Sequence, residues 1–180
     1  MRIKANNIKG FTLIELLIVV SILGILTALA LPSFSDTLEA QASNSERKRL
    51  LTMLNLARSE AIKRGGDVSI CASDDGLDCD ANAWSQGYII FVDNNGDANG
   101  AAGTIDNGDE VIRAYNAAGS TSNITMTVAM LTYNSLGFSA TGGTQTFKVC
   151  PTSNNANNAR SIEIGPSGRG RIIETGLTCP

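Results

Sequence analysis

The sequence predicts an α+β protein in which a long, kinked N-terminal helix packs on an antiparallel β-sheet head. Three observations support this fold class. An apolar run fills residues 11–31, a helix-periodic stretch follows it as far as Arg64, and short segments rich in β-branched and aromatic residues recur over residues 65–180. The 180 residues suit one domain with an extension, and 43% hydrophobic against 17% charged residues argues against general disorder.

The apolar run, residues 11–31, is long enough to cross a membrane as a helix, which takes about 20 residues. Arg2, Lys4 and Lys9 precede it without an acidic residue, so the positive-inside bias places residues 1–10 in the cytoplasm and the rest of the chain across the membrane. A secretory signal peptide would have a shorter apolar core followed by a small-residue cleavage site, and Leu31-Pro32-Ser33 is a poor match to such a site. The run therefore predicts a transmembrane helix. Its interruptions are Thr12, Glu15, Ser21, Gly24 and Thr27.

Glu15 distinguishes this segment from an ordinary membrane anchor, because a carboxylate in an apolar span costs about 2.5–3.5 kcal/mol and usually marks a function. The stretch Gly10-Phe11-Thr12-Leu13-Ile14-Glu15 resembles the type IV prepilin motif. That resemblance implies cleavage after Gly10 by a prepilin peptidase, N-methylation of Phe11 and extraction of the apolar helix into a filament core. It also implies that Glu15 pairs there with the terminal amine of Phe11 in a neighbouring subunit.

Residues 32–64 are predicted to continue the helix into the head. Pro32 should kink it, because proline removes a backbone donor and clashes with the preceding turn. After it, a stripe of apolar residues and an opposite polar stripe recur at the helical period, and Gly65-Gly66 supplies a stop. The apolar stripe is Leu50, Leu54, Ala57 and Ala61, and the polar stripe is Lys48, Thr52, Asn55, Ser59 and Lys63.

The charged run Glu46-Arg47-Lys48-Arg49 on this helix allows two interpretations. One is a patch for nucleic acid, and the other, which we favour, is a solvated helix face that contacts neighbouring subunits.

The head, residues 65–180, is predicted to be antiparallel sheet because its short strand-like segments are bounded by Gly, Asn, Asp or Ser. The candidate strands are Val68–Ala72, Gly87–Val92, Glu110–Tyr115, Ile124–Met130, Leu131–Phe138, Thr146–Cys150, Ser161–Ile164 and Arg171–Glu174.

The composition excludes several kinds of chemistry. There is no histidine, so catalytic triads that depend on it are absent, and no C-x-x-C pair points to zinc. With no other catalytic constellation, we expect no enzyme activity, no metal and no cofactor. The four cysteines instead suggest disulfides in an oxidising compartment. Of the three possible connectivities we favour Cys71–Cys79, which are close in sequence, and Cys150–Cys179, which would hold the C-terminal tail.

Trp84 to Asp93 reads W-S-Q-G-Y-I-I-F-V-D and resembles the head of the GspH/FimT group of pilin-like proteins. This resemblance implies a minor type IV pilin or an H-type pseudopilin of type II secretion. Such a subunit primes or caps filament assembly at the bacterial inner membrane, with its head in the periplasm and other pilins as its partners. The loop Asp93–Gly100 has alternating oxygen ligands suited to calcium, but Ala98 and Thr104 stand where an EF-hand loop needs Gly and Glu.

A last resemblance concerns DNA. Gly168-Arg169-Gly170-Arg171 is similar to the G-R-x-R element of FimT-type minor pilins, which implies that Arg169 and Arg171 hold double-stranded DNA during its uptake. Two arginines can contact successive phosphates. However, residues 65–180 carry five basic and twelve acidic residues, a net charge of −7, which opposes strong DNA binding. The alternative is a polar turn with two solvated arginines.

Overall fold

The helix-periodic residues form one helix, α1, which runs Leu13–Arg64. In the computed structural model the described residues are 11–80, 84–92, 94, 105, 109–119, 122–174 and 176–179, with residues 28–33 described for their backbone alone. The chain divides into two compact units, the first ending at Thr37 and the second running Leu38–Pro180. Within the described part of the chain, no helix combines the length and apolarity needed to span a bilayer. The transmembrane role of residues 11–31 and the kink at Pro32 stay predictions, and so does the leader predicted at residues 1–10, which lie outside the described residues.

In the second unit α1 buries the apolar stripe that the sequence predicts. Leu50, Leu54, Ala57 and Ala61 are at most 2% exposed, and Met53 joins them. The predicted polar stripe on the opposite side is exposed throughout. The helix ends at Gly65, whose φ of 69° suits glycine and whose N–H donates to the Ala61 carbonyl at 3.0 Å.

Eight strands form two antiparallel sheets of four strands each. They are β1 Val68–Ala72, β2 Gly87–Val92, β3 Glu110–Asn116, β4 Ser122–Met126, β5 Met130–Tyr133, β6 Gln145–Pro151, β7 Arg160–Ile164 and β8 Gly170–Ile173. The first sheet has the order β3-β2-β1-β5 and the second β4-β6-β7-β8. A 3₁₀ turn, Ala156–Asn158, joins β6 to β7. The predicted fold class, a long helix with antiparallel sheet, is confirmed.

The main core lies between α1 and the inner faces of both sheets. Its largest members are Trp84, Tyr88, Tyr133 and Phe147, and the rings of Trp84 and Phe147 meet edge to face with centroids 4.9 Å apart. The first sheet is also covered on its outer face, where Ile89, Phe91 and other side chains form a smaller core. Because both faces are buried, β1 and β2 are apolar almost throughout and show no alternation of polar residues.

The observed strands differ from the predicted ones between residues 122 and 138. The sequence suggests strands at Ile124–Met130 and Leu131–Phe138, whereas β4 ends at Met126 and β5 at Tyr133. A bend follows β4, and Thr127 bonds to β6 through its hydroxyl, which accepts the Thr146 N–H at 3.0 Å. After β5, the Asn134 side-chain oxygen accepts the N–H groups of Leu136 and Phe138, both at 3.0 Å, and turns the chain.

Candidate functional site

The first unit presents an apolar helix surface on every side. Each large apolar side chain from Phe11 to Leu26 is more than half exposed, ranging from 51% at Val19 to 90% at Phe11. In a water-soluble protein one side of such a helix would be buried against a core. A helix that is apolar all round needs lipid or other helices to cover it.

Glu15 makes its contacts at the start of this helix. Its Oε2 accepts the Thr12 N–H at 2.8 Å and the Thr12 hydroxyl at 3.0 Å, while the Thr12 Oγ1 lies 3.4 Å from the Glu15 N–H that donates to it. This reciprocal pair is a capping box, and it satisfies backbone donors that the first helical turn leaves open. The T-x-x-E spacing before an apolar run signals such a box in the sequence, and our sequence analysis missed it.

The other N-terminal site residues are only partly described. Phe11 is exposed next to the box, Gly10 lies outside the described residues, and the side chain of Pro32 is not described. Cleavage after Gly10, methylation of Phe11 and pairing of Glu15 with a neighbour's amine therefore stay predictions.

The disulfides join Cys71 to Cys79 and Cys150 to Cys179, which are the two pairings that we favoured. The second bridge holds the C-terminal tail on the outer face of the second sheet. There the Lys148 Nζ also donates to the Thr178 carbonyl at 2.8 Å. Lys148 and Cys150 are two residues apart on β6, so their side chains lie on the same face of the strand. The tail therefore runs along that face.

The first bridge closes the loop 73–80, which carries four aspartates and an exposed leucine. The Asp75 carboxylate accepts the N–H groups of Leu77 and Asp78 at 2.8 and 3.2 Å, and these hydrogen bonds lower its pKa. The neighbouring Asp80 raises the pKa of Asp74 through a side-chain hydrogen bond and repulsion. Leu77 is 67% exposed at the tip. We call residues 73–80 the acidic loop.

The turn between β7 and β8 packs on the turn after β5. The backbone of Gly168, with φ of 72°, lies against the Gly137 carbonyl, which also accepts the Arg58 Nε–H at 2.8 Å. The Ser139 N–H donates to the Pro166 carbonyl at 3.1 Å. These contacts place residues 165–169 beside residues 134–139.

The two candidate DNA-binding arginines differ in their surroundings. Arg171 lies on β8 opposite Glu163, and its Nη2 is 2.8 Å from the Glu163 Oε1. Arg169 is exposed and has no hydrogen bond or ion pair to any described residue. Both line an open depression of about 350 Å³ with Glu163, Gly165, Ser167 and Gly170. The structure therefore places Arg169 and Arg171 on the same depression, but Glu163 partly neutralises the charge of Arg171.

The charged run 46–49 is not the solvated face that we favoured. Arg47 pairs with Glu174 at 2.7 Å. The Arg49 guanidinium donates to the carbonyls of Asn116 and Ala117 and stacks over Tyr88, 5.2 Å from the ring centroid. Lys48 alone is exposed. The run binds the chain's own head, because its basic side chains reach backbone acceptors and a carboxylate at the sheet edges.

No group of three or more His, Cys, Asp or Glu among the described residues is arranged to hold a metal ion. The calcium interpretation of Asp93–Gly100 concerns residues that lie outside the described ones, apart from Asn94.

Two family models match the chain. The model described as type II transport protein GspH matches residues 46–168, and that of the prokaryotic N-terminal methylation motif matches residues 5–31. Pilin-like protein PilA1 of Thermus thermophilus is 38% identical over 87 residues, which are 48% of this chain and 49% of that protein. A fimbrial protein of Moraxella nonliquefaciens is 58% identical over 41 residues, 23% of this chain and 26% of that protein. The matches thus span about half and about a quarter of these relatives.

Two solved structures share the fold. The type IV minor pilin FimU of Pseudomonas aeruginosa superposes with a TM-score of 0.57 at 21% identity, covering 76% of this chain and 92% of that one. The minor pseudopilin EpsH of the Vibrio cholerae type 2 secretion system has a TM-score of 0.51 at 14% identity, covering 75% and 98%. At these identities the likeness concerns the fold.

Proposed function

Because the chain belongs to the family of the type II transport protein GspH, we propose that it is a minor type IV pilin or pseudopilin that primes or caps a filament at the inner membrane. In this role it is a structural subunit and not an enzyme. The observation that carries the proposal is the first unit, whose apolar helix is exposed on every side.

The energetics of that helix require a cover. About a dozen large apolar side chains between Phe11 and Leu26 are exposed, and burying each one fully is worth about 1.5–3 kcal/mol. Because the helix itself already covers part of each side chain, the burial still to be gained totals roughly 10–20 kcal/mol, which is as large as the net stability of a typical domain. We propose that lipid covers this segment before assembly and that equivalent helices of other pilins cover it in the filament.

The match to the methylation motif at residues 5–31 supports processing of the N-terminus. Cleavage after Gly10 by a prepilin peptidase would leave Phe11 as the first residue, one position before the capping box. Its new amine would then be close to a carboxylate, and the same carboxylate could bind the amine of a neighbouring subunit in the low-dielectric filament core.

The test is to produce the full chain in membranes with and without a prepilin peptidase and to measure its intact mass. We expect the loss of residues 1–10 and the addition of one methyl group, and we expect the processed chain in the sheared filament fraction. Gly10→Lys should abolish both, whereas Gly142→Ala, at an exposed glycine of the head where an added β-carbon would meet nothing within 4 Å, should change neither. Deleting the gene should reduce the number of filaments. An uncleaved chain that is absent from filaments would contradict the proposal.

DNA capture is a second candidate function, favoured by the exposed Arg169 beside Arg171 on an open depression. Two observations limit it, because Glu163 pairs with Arg171 and the head is acidic. The second unit, Leu38–Pro180, can be titrated with double-stranded DNA at two salt concentrations, beside the double variant Arg169→Ala/Arg171→Ala and the control Arg113→Ala. Binding that weakens with salt and is lost only in the double variant would support DNA capture, and equal binding by all three would contradict it.

A further inference from the structure

We propose that a different pilin subunit docks on the head at the C-terminal end of α1, through a segment in which carboxylates flank a large apolar side chain. The docking site, which we call the end surface, consists of Arg58, Ile62, Leu136 and Phe138. This inference rests on the proposed function, because a subunit that primes or caps a filament stands at one end of it and has to bind chains other than its own copies.

The turn that carries Leu136 and Phe138 is held in one conformation by hydrogen bonds. The Asn134 side-chain oxygen accepts both of their N–H groups, and the Asn134 N–H donates to the Phe138 carbonyl at 3.0 Å. The Gly137 N–H donates in turn to the Asn134 carbonyl at 2.8 Å. A turn that is already ordered loses little conformational entropy on binding, so its exposed side chains can serve as anchors.

The end surface exposes three large apolar side chains around one glycine. Leu136, Ile62 and Phe138 are 71%, 51% and 48% exposed. Leu136 and Phe138 flank Gly137 in the chain, and Ile62 reaches it from α1, because a β-carbon added to this glycine would lie 2.7 Å from the Ile62 Cδ1. Exposed apolar side chains that lie together, and not singly, mark a surface that another molecule covers.

Arg58 adds a cation with unused hydrogen-bond donors to this apolar surface. Its Nε–H donates to the Gly137 carbonyl at 2.8 Å, which fixes the guanidinium beside Ile62. Among the described residues no carboxylate pairs with Arg58, and its Nη1 and Nη2 groups have no hydrogen-bond partner. A half-buried guanidinium that is already oriented can donate two parallel hydrogen bonds to one carboxylate. Arginine is one of the residue types that contribute most to binding between proteins.

A second cation lies on the adjoining turn and strengthens the preference for an acidic partner. The backbone of Gly168 packs on the Gly137 carbonyl, and the next residue, Arg169, is exposed and unpaired within the described part of the chain. Two cations beside exposed apolar side chains complement a protein segment that has carboxylates around a large apolar residue. A DNA backbone would need more cations and would leave Leu136 and Phe138 uncovered.

The test uses the full chain in membranes of cells that also make the other pilins of its filament. A photo-crosslinking residue replaces Leu136, the most exposed side chain of the end surface. We expect a cross-linked product with a different pilin, mapped by mass spectrometry to a segment that has Asp or Glu beside a large apolar residue. The same probe at Asn123, an exposed position on β4, should not give that product.

Variants that carry the Leu136 probe test the role of the two cations. Arg58→Gln should reduce the cross-linked fraction by roughly tenfold, because the partner's carboxylate loses a charged and oriented donor. Arg169→Glu should reduce it by roughly threefold and leaves folding undisturbed, since Arg169 bonds to no described residue. Lys48→Glu makes the same charge change at an exposed position of α1 and should leave the fraction unchanged.

A change in the partner completes the test of the ion pair. Replacing the mapped carboxylate of the partner with its amide should lower the cross-linked fraction as much as Arg58→Gln does. The two changes together should lower it little further, because both remove the same interaction. Full additivity would show that Arg58 and this carboxylate do not meet.

Four outcomes would overturn the inference: cross-links only to another copy of this chain, its acidic loop included; cross-links to lipid or DNA; cross-links to a segment without carboxylates; or a fraction that neither Arg58→Gln nor Arg169→Glu changes. If the chain is processed and present in the filament fraction while no cross-link forms, the docking contact is wrong and the subunit role stands. If it is neither processed nor assembled, the proposed function is wrong and the docking contact is wrong with it.

Discussion

Gly168 and Gly137 are packed so closely that a β-carbon at position 168 would overlap the Gly137 carbonyl oxygen. This contact joins the turn between β7 and β8 to the turn after β5, and the same carbonyl accepts a hydrogen bond from Arg58 of α1. Three separate segments of the chain thus meet at two glycines.

Gly168→Ala should therefore lower the free energy of unfolding by about 3 kcal/mol, from the cost of φ near 72° together with the overlap. Gly143→Ala is a matched control, because Gly143 also has φ of 72° but nothing lies within 4 Å of its added β-carbon. It should lose only about 1–2 kcal/mol. Urea unfolding of Leu38–Pro180 measures both, and equal losses would contradict the close packing.

Arg49→Met should destabilise the second unit by about 1–3 kcal/mol, because the guanidinium donates to two carbonyls of the β3 end and stacks on Tyr88. The adjacent Lys48→Met removes an exposed cation from the same helix and should change stability by less than about 0.5 kcal/mol. Thermal or urea unfolding distinguishes the two variants. A similar loss in both would show that the charge, and not the contact, matters.

The ion pair of Glu110 with Arg64 should make stability depend on pH. Arg64 binds both Glu110 oxygens, at 2.6 and 3.1 Å, and lowers the pKa of this carboxyl below its ordinary value of 4.5. Because the folded pKa is depressed, the stabilisation is full above pH 4.5 and is lost as pH falls through the folded pKa.

Glu110→Gln should consequently be less stable than the parent chain at pH 7, and this deficit should shrink as the pH falls below 4.5, as measured by urea midpoints. Arg64→Lys keeps the charge but loses the two parallel hydrogen bonds to Glu110. In that background, Glu110→Gln should therefore cause a smaller pH-dependent loss of stability. A deficit for Glu110→Gln that is the same at both pH values would contradict the ion-pair origin.

Removing the second disulfide with Cys150→Ala/Cys179→Ala should cost about 3–4 kcal/mol, as expected from chain entropy for a separation of 29 residues. Amide exchange should then become faster in residues 176–179, which that bridge holds. A peptide map without reductant should recover Cys71 with Cys79 and Cys150 with Cys179, and a peptide joining Cys71 to Cys150 would contradict the fold.

The sequence predicts the helix stripe and most strands well, because local periodicity determines them. Leu50 to Ala61 recur at the helical spacing and are buried, and β1 and β2 have the predicted bounds. The division into two sheets was not predictable, since β5 pairs with β1 across some 60 residues of chain and no local pattern encodes that choice.

The errors also have physical reasons. Asn134 and Gly137 are typical turn-forming residues, and the structure places both in a turn. The sequence prediction instead included them in the apolar strand Leu131–Phe138. Arg47 and Arg49 looked solvated because a charge pattern does not reveal that a sheet edge offers carbonyl acceptors within their reach. The sequence predicts that Arg169 and Arg171 lie close together, but only the register of β7 with β8 shows that Glu163 stands opposite Arg171.

The Cys150–Cys179 bridge also limits how far the head can extend under mechanical load. If a filament is pulled and the head unravels, the 29 residue intervals between these cysteines cannot add to its length, since the bridge keeps their α-carbons 5.8 Å apart. At about 3.5 Å per residue this removes roughly 100 Å of extension. In a single-molecule stretching trace, the oxidised head should therefore unravel about 100 Å less than a Cys150→Ala/Cys179→Ala head, which keeps the Cys71–Cys79 bridge, so that one bond sets the reach of the subunit under tension.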